Sequence, residues 1–367
     1  MTGPVLAGPV VIIGAGLVGA SVGCALSAAG IQVHLEDRNP SHAKVAAGVG
    51  AGRLDAADPQ QVQLVVAAVP PRALAGVIAE SLTRFPRATV TDVGSVKADV
   101  LDQLWRTGAD RNRYVGSHPM AGSQHSGPVT ARADLFVERT WVVTPHRESE
   151  PDRVAVVSAL VSLCGAREIS MDVDDHDAAV ARVSHLPHLV SVLMAGHLTT
   201  VPEQQLRLAG QGLRDVTRIA GSDPSLWREI VAGNASALVP ELKAVHAELG
   251  ELIGAVESDP QHGADPFLTR AVAGTRRIPG KHGQAVTAYA TVVVEIPDQP
   301  GVLGKLFTDA GTAGANVEDL SIEHDQVRQV GYISIAVVAD TAGTLAAAMR
   351  AAGWTATVLA PGAPTPS

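Results

Sequence analysis

Ser95 and His118 are two side chains that could act together on a proton. Ser95 follows a strand predicted over residues 88–93, and His118 comes where a strand predicted over residues 114–117 ends. Ligands of open α/β sheets bind beyond the carboxyl ends of the strands, so both side chains should reach one cleft. A hydroxyl and an imidazole placed there can hold and deprotonate an alcohol whose carbon gives up a hydride. For either residue alone, an ordinary polar loop would be the better interpretation.

A dinucleotide site is predicted upstream of this pair. Three glycines form G-x-G-x-x-G after a strand and at the start of a helix, where they let the backbone approach a pyrophosphate. Asp37 ends the next strand, 18 residues past Gly19, and can bind a ribose diol while repelling a 2′-phosphate. NAD is therefore predicted, Arg38 keeps NADP open, and an unoccupied structural turn is the alternative. The predicted cofactor residues are Gly14, Gly16, Leu17, Val18, Gly19, Asp37, Arg38, Val69 and Pro70.

A polar stripe is predicted along one helix over residues 173–198, with Asp174 or Asp175 as its N-cap. Small and polar residues recur there at spacings of three and four, so the stripe should line a cavity or a partner. His185 and His188 could form a metal pair, but no third ligand of suitable spacing follows, and no metal is predicted. The members of the stripe are Asp177, Ala181, Ser184, His188, Ser191 and Ala195.

Arg214 and Arg218 are one helical turn apart, close to Asp215. A surface helix held by ion pairs is one interpretation of this pattern. Arg218, however, lies close to a sharp turn between helices, where Asp223 begins the next helix with a proline after it. A planar guanidinium in such a place could bind a carboxylate.

The elements that must hold these side chains alternate over the first 150 residues. Short β-branched runs are interleaved with helices, which predicts an α/β fold with a Rossmann-like, doubly wound sheet in residues 1–150. The predicted strands cover residues 9–14, 32–37, 63–69, 88–93, 114–117 and 140–144.

Two further domains are predicted after this sheet. Residues 151–258 are almost wholly helical and should form an all-helical substrate-binding and dimerisation domain that adds no strand to the sheet. Residues 259–286 are rich in Pro, Gly and charge and should form a linker. Residues 287–360 follow the order βαββαβ of a ferredoxin-like domain, and a disordered tail is expected over 361–367.

Composition narrows the class of protein and its partners. The net charge of −9 gives no reason to propose nucleic acid or a membrane as partner, and an anionic substrate would need a local cluster of cations. No apolar run approaches the roughly 20 residues that span a bilayer, and the N-terminus lacks the features of a signal peptide. Cys24 and Cys164 have no partners at metal or redox spacing, which predicts buried thiols in the cytoplasm.

The motifs together resemble a known family. D-V-G-S-V-K, H-P-M-A-G, S-H-L-P-H and R-D-V-T-R-I-A-x-S-D-P-x-x-W follow the glycine motif in this order, so residues 9–257 resemble the prephenate and arogenate dehydrogenase family of tyrosine biosynthesis. D-Q-P-G-V-L at 298–303 and G-A-N-V-E-D-L at 314–320 resemble an ACT domain, a module that usually binds an amino acid between paired copies. The resemblance implies an NAD-dependent homodimer that oxidatively decarboxylates prephenate and responds to an amino-acid effector.

The same resemblance implies roles for individual residues. His118 would take the proton of the substrate's C4 hydroxyl, Ser95 would hold that hydroxyl, and Arg218 would bind a substrate carboxylate. His188 would line the substrate pocket, with Ser184 and Asp177 close to it. The implied effector residues are Asp298, Gly301, Val302, Leu303 and Asn316.

Gln124 bears on which substrate is used. The corresponding residue is an acid in some family members, and a neutral amide offers no counter-charge to the ammonium group by which arogenate differs from prephenate. This favours prephenate. Arogenate dehydrogenase remains the nearer alternative, and a non-catalytic sensor of a dinucleotide and an amino acid is the more distant one.

Overall fold

The computed structural model describes residues 6–121, 127–278, 289–297, 299–325 and 330–359. The chain forms two compact units, Met1–Gly263 and Ala264–Ser367. Gln124 and Asp298, two of the predicted site residues, lie outside the described residues.

A seven-stranded sheet forms the centre of the first unit. Its strands are β1 (Val10–Ile13), β2 (Val33–Glu36), β3 (Leu64–Ala67), β4 (Thr89–Asp92), β5 (Tyr114–Pro119), β6 (Thr140–Thr144) and β7 (Arg167–Ser170). They lie in the order β2-β1-β3-β4-β5-β6-β7, and every pair is parallel except β5 with β6. The predicted Rossmann-like sheet is confirmed.

Five helices pack on this sheet because its strands are apolar on both faces. In β1, Val10 and Ile12 belong to one buried cluster and Val11 to the other, as the two-residue period of a strand requires. Because β1, β3 and β4 run parallel, their carboxyl ends meet at one edge of the sheet, where a ligand can bind. The helices are α1 (Leu17–Ala28), α2 (Pro40–Gly48), α3 (Pro71–Arg84), α4 (Ala98–Arg106) and α5 (Pro151–Leu163).

The strand β7 corrects the expectation that no strand follows residue 150. It pairs in parallel with β6, and all four of its residues are exposed. A short edge strand with charged side chains lacks the apolar alternation by which strands are recognised in a sequence. The sheet therefore reaches Ser170.

Six helices complete the first unit, and the first two are continuous through one turn of π-helix at Ala181–His185. Asp172, rather than Asp174 or Asp175, is the N-cap, because its backbone is extended while the other two already lie in the first helical turn. Pro187 follows the π turn and cannot donate to the carbonyl four residues earlier, and an irregular turn accommodates that loss. The helices are α6 (Val173–Val180), α7 (Leu186–His197), α8 (Glu203–Leu206), α9 (Gln211–Thr217), α10 (Pro224–Gly233) and α11 (Ala235–Ser258).

The second unit contains α12 (Asp265–Thr275), β8 (Tyr289–Pro297), α13 (Val302–Thr312), β9 (Asp319–Asp325), β10 (Val330–Val338), α14 (Ala339–Ala351) and β11 (Thr355–Leu359). Its antiparallel sheet has the order β11-β8-β10-β9, as a ferredoxin-like βαββαβ domain requires. The helix α12 corrects the prediction of a linker over 259–286, since a proline in the first turn starts a helix as readily as it breaks one. The strand β9 begins at Asp319, whereas the sequence pattern predicts a strand from Asn316.

Candidate active site

The carboxylate of Asp92 joins the ends of β4 and β5. It is buried and accepts hydrogen bonds from the Tyr114 hydroxyl at 2.8 Å and the Gly94 amide at 2.9 Å. It also forms an ion pair with the buried ammonium group of Lys97. Lys97 Nζ donates a second hydrogen bond to the Ser117 carbonyl at 2.9 Å. These contacts fix the loop after β4 to the end of β5.

The Asp92–Lys97 network positions two of the predicted site residues. Ser95 lies half-buried in the loop that the network holds, and His118 directly follows Ser117 in β5. The structure thus places both at the same edge of the sheet. Asp92 and Lys97 begin and end D-V-G-S-V-K, but their role was not predicted because the sequence does not show that both charges are buried.

His118 belongs to a chain of three hydrogen-bonded side chains. Its Nδ1 lies 2.9 Å from Nε2 of His176, and Nδ1 of His176 lies 2.7 Å from Oδ1 of Asp177. Asp177 accepts hydrogen bonds from the backbone amides of Lys97 at 3.0 Å and Ala98 at 2.8 Å. No capping side chain of its own satisfies the first turn of α4, so Asp177 supplies an acceptor that this helix terminus needs.

Sequence analysis did not predict a role for His176. Adjacent residues of a helix point about 100° apart, so His176 lies off the stripe that contains Asp177. It is nevertheless completely buried and lies between Asp177 and His118. Its position next to the acid of the stripe was the available signal.

The surroundings of His118 favour its neutral form. Burial lowers its pKa well below the ordinary value of 6.5, and electrostatic interactions with His176, Lys97 and His185 act in the same direction. At neutral pH the imidazole is therefore uncharged and able to accept a proton. By surface area the residue as a whole is half-buried.

His185 and His188 lie against the indole ring of Trp227. The His188 ring is stacked on it with centroids 3.4 Å apart, and the His185 ring meets it edge-on at 6.0 Å. The amide of Asn234 donates hydrogen bonds to His185 Nδ1 at 3.1 Å and to the Asp177 carbonyl at 2.8 Å. Burial lowers the pKa of His185 to about 4 and also lowers that of His188. Within the described parts of the chain, no three His, Cys, Asp or Glu side chains are grouped as a metal site requires.

The predicted polar stripe is turned inward along α6 and α7. Asp177, His188 and Ser191 are buried, and Ser184 is half-buried. The Ser191 hydroxyl is buried without a hydrogen-bond partner among the described residues. These members of the stripe therefore face the interior of the unit, while Val183 on the opposite face is 69% exposed. That the stripe lines a cavity or a partner stays a prediction.

Arg218 begins a short 3₁₀ turn that packs against α7, the helix of His188. Its side chain is exposed and has no ion-pair partner in the described ranges. Asp215 accepts a hydrogen bond from Gln211 at 2.8 Å, and within those ranges neither Arg214 nor Arg218 pairs with it. The surface ion-pair interpretation therefore finds no support, and the guanidinium is available to a ligand.

The glycine loop after β1 fits a dinucleotide. Gly14 has a φ of +103°, and a Cβ there would lie 2.2 Å from the Ala68 carbonyl oxygen. A Cβ on Gly19 would lie 2.0 Å from the Gly14 oxygen, whereas a Cβ on Gly16 would meet no atom of the described residues within 4 Å. Gly14 and Gly19 are thus required by the fold, and Gly16 leaves open space at the uncapped start of α1, where a pyrophosphate can bind.

Asp37 is positioned beside this loop. Its Oδ2 accepts a hydrogen bond from the Ala15 amide at 2.7 Å, and its Oδ1 accepts one from the Asn39 amide at 2.6 Å. Arg38 is exposed, and Val69 lies in the loop that follows β3. The carboxylate that was predicted to bind a ribose therefore also orders the loop that would bind the phosphates. The residues present fit NAD.

In the second unit, Gly301 begins α13 with a φ of +87°, and Val302 and Leu303 are half-buried behind it. The Asn316 amide donates to Glu318 at 2.6 Å. A cavity of about 420 Å³ opens beside the start of α13, and Val302, Lys305 and Trp354 are among the residues that line it. The Lys305 ammonium lies 5.3 Å from the centre of the Trp354 ring.

Comparisons with known proteins agree with this geometry. Residues 22–170 match the family model described as the prephenate dehydrogenase nucleotide-binding domain, and residues 172–268 match the prephenate dehydrogenase dimerization domain. A probable prephenate dehydrogenase of Streptomyces niveus is 32% identical over 94% of this chain and 98% of its own length.

Two solved structures share the fold of most of the chain. A prephenate dehydrogenase of A. aeolicus, in complex with hydroxyphenyl propionate and NAD+, has a TM-score of 0.66 at 25% identity and covers 72% of this chain and 96% of its own. A Synechocystis arogenate dehydrogenase has a TM-score of 0.61 at 26% identity and covers 72% of this chain and 98% of its own.

Proposed function

The chain belongs to the prephenate dehydrogenase family and is an NAD-dependent oxidoreductase of tyrosine biosynthesis, and we propose that prephenate rather than arogenate is its substrate. Gln124 supports this choice, because a neutral amide offers no counter-charge to the ammonium group of arogenate. The observation that carries the reaction is a neutral His118 at the carboxyl edge of a sheet whose glycine loop fits NAD.

In the proposed reaction, His118 removes the proton from the ring hydroxyl of prephenate while Ser95 holds that hydroxyl in place. NAD+ held by the glycine loop and Asp37 would supply the acceptor for the hydride of the carbon that carries the hydroxyl. The ring carboxylate leaves as CO₂, and the electrons of the broken C–C bond complete the aromatic ring. The proton held by His118 then returns to the ring oxygen, which gives 4-hydroxyphenylpyruvate and the neutral imidazole again. Arg218 binds a substrate carboxylate, and His188 lines the pocket with Ser184. Much of the driving force comes from aromatisation, so these residues mainly position and deprotonate the substrate.

The test is to follow NADH formation with prephenate and with arogenate under the same conditions, and to identify the product. We expect a higher kcat/KM with prephenate, and CO₂ and 4-hydroxyphenylpyruvate as products. A higher kcat/KM with arogenate would reverse the assignment. Asp175→Asn changes an exposed residue and should leave turnover unchanged, so it controls for effects of mutation and purification. Loss of turnover in His118→Asn would show that the activity belongs to this site.

We infer that two copies of the chain pair through the helical part of the first unit. The helical segment Val173–Thr200 is long and apolar enough to cross a membrane, with a mean hydropathy of 1.3. Its polar stripe is buried, however, so the face that remains exposed is apolar. Residues 172–268 match a dimerization domain, which supports a second copy as the cover of that face. Sedimentation of wild type and Leu193→Glu tests this, since a dimer that survives the charge would point to another surface. The exposed apolar residues include Val183, Val192, Leu193, Met194, Leu249 and Ile253.

We propose further that the second unit is an ACT domain that binds an amino acid, with tyrosine or phenylalanine as the first candidates. Its βαββαβ order and the left-handed Gly301 at the start of α13 support this. An effector acts only through unequal affinity for two states of the protein. Adding each amino acid to the full-length enzyme should change KM or kcat, and Asn316→Ala should weaken the response. No response to either amino acid would remove them as effectors.

The protein is proposed to act in the cytoplasm. Its cysteines, Cys24 and Cys164, are free and buried. Burial raises the pKa of Cys164 to about 12 and raises that of Cys24, so neither thiol is poised for redox chemistry. Fractionation of the native cells is the direct test.

A further inference from the structure

The hydrogen bonds around His118 determine which of its nitrogens carries a proton. An ionised carboxylate only accepts, so Nδ1 of His176 must donate to Asp177 across 2.7 Å. If Nε2 of His176 carries no proton, it accepts across the 2.9 Å contact, and the donor is Nδ1 of His118. This leaves Nε2 of His118 without a proton. It is the nitrogen that can act as a base.

We propose that His176 is a positioning residue that fixes the reactive tautomer of His118, and that it shares the positive charge when His118 accepts the substrate proton. As Nε2 of His118 gains that proton, the proton on its Nδ1 can move toward Nε2 of His176. The proton on Nδ1 of His176 remains held by Asp177. No proton is lost or created, and the positive charge comes to lie beside a carboxylate. The inference deepens the proposed function and rests on His118 being the base.

The charges around His118 favour such a relay. An imidazolium formed there would be poorly solvated and would lie near the ammonium of Lys97. The charge of Asp92 is already neutralised by Lys97. Asp177 has no Lys or Arg partner in the described ranges, and besides His176 its carboxylate meets only the backbone amides at the start of α4. Its negative charge is therefore free to stabilise the imidazolium. The remaining titratable groups nearby are His185 in the π turn and Tyr114 in β5.

The tautomers can be observed without any turnover. In the protein labelled with ¹⁵N-histidine, we expect His118 and His176 both to be neutral with the proton on Nδ1 near pH 7. Assignments come from His118→Asn and His176→Gln. A proton on Nε2 of His118, or a doubly protonated His176, would overturn the proposal even in an enzyme that turns over prephenate.

The pH profile tests the sharing of charge. Asp177→Asn removes the negative charge and keeps one acceptor oxygen for His176 Nδ1 and the Lys97 amide, while its NH2 group faces the Ala98 amide. An opposite charge within a few ångströms shifts a pKa by about 1–3 units, and Asp177 acts across a second ring, so the acid limb of kcat/KM should move down by roughly one pH unit. Asp175→Asn, with the same chemical change on the exposed side of the same helix, should leave the limb in place. An unmoved limb in Asp177→Asn contradicts charge sharing.

Variants of His176 separate positioning from packing. His176→Phe should lower kcat by about 10–100-fold with little change in KM, because a misdirected base loses much of its contribution. His176→Gln, which can still accept from Nδ1 of His118, should restore part of kcat. Equal losses in Phe and Gln, or no loss in either, would count against the tautomer role. A wild-type enzyme inactive with both substrates would instead refute the proposed function, while the tautomer measurement would still stand.

Discussion

Removing the ammonium group of Lys97 should destabilise the first unit strongly. In Lys97→Met the apolar stem is largely preserved, but the buried charge of Asp92 loses its ion-pair partner. Breaking a buried pair in this way costs about 3–5 kcal/mol. Tyr114 and Gly94 still donate to the carboxylate at 2.8 and 2.9 Å, so we expect the lower end, about 3 kcal/mol. For a unit of this size, that lowers Tm by about 6–12 °C.

Calorimetric unfolding of the full-length protein is the assay, with attention to the transition of the first unit. Lys44→Met, an exposed lysine on α2, is the matched control and should change Tm little. In Lys97→Met/Asp92→Asn the unpaired charge is gone, so the double variant should be more stable than the sum of the two single changes predicts by about 1–3 kcal/mol. Catalysis should also suffer, since the loop of Ser95 loses its attachment to Ser117. A Lys97→Met protein within about 1 kcal/mol of wild type would refute the argument that this pair holds the loop.

Four further predictions concern binding, chemistry and pH. His118→Asn should lower kcat by about 10²–10⁴-fold with little change in KM, as loss of a general base does; near-normal kcat would remove it from the mechanism. Arg218→Ala should raise the KM for prephenate, and Arg218→Lys should not restore it because a point charge lacks the two-pronged geometry; an unchanged KM in the Ala variant would contradict this. Wild type should prefer NAD+, and Asp37→Ala should raise kcat/KM with NADP+ relative to NAD+; equal use of both by wild type would point to Arg38. Stability toward urea should fall as pH drops below 6.5 toward about 4, because folding lowers the pKa of His118, His185 and His188 and the unfolded chain then binds more protons; a flat profile would contradict their burial as neutral rings.

The sheet and its cofactor loop could be predicted because their signals are local. Val10, Val11 and Ile12 are apolar on both faces of one strand, and Gly14 and Gly19 stand where the turn leaves no room for a Cβ. The position of His118 followed from the rule that ligands meet the carboxyl ends of parallel strands. The strands and the glycine loop depend on short stretches of sequence. The position of His118 depends only on the direction of the strands in the sheet.

The supporting residues could not be predicted because they depend on contacts between distant segments. His118 meets His176 across 58 residues, and Lys97 meets Asp177 across 80. Trp227 lies inside a motif of the sequence, but only the structure shows the ring of His188 stacked on it. A spacing along the chain does not encode such distances.

The short elements were misjudged for a different reason. The sequence of β7 has no apolar alternation, and its pairing with β6 is visible only in the sheet. The helix α12 lies in a stretch whose Pro and Gly content favoured a linker. In both places the composition did not indicate the regular element that the backbone hydrogen bonds form.

The hydrogen bonds from the first turn of α4 to Asp177 also determine which groups of the active site become exposed together when the structure opens locally. The acceptor for these amides belongs to a helix 80 residues further along the chain. Local openings of a native protein expose amides in contiguous cooperative units. Opening of α6 alone would release the amides of Lys97 and Ala98 and the imidazole of His118 together, while the sheet stayed intact. In hydrogen exchange these two amides should then share the opening free energy of the helical region, although they belong to a helix that packs on the sheet.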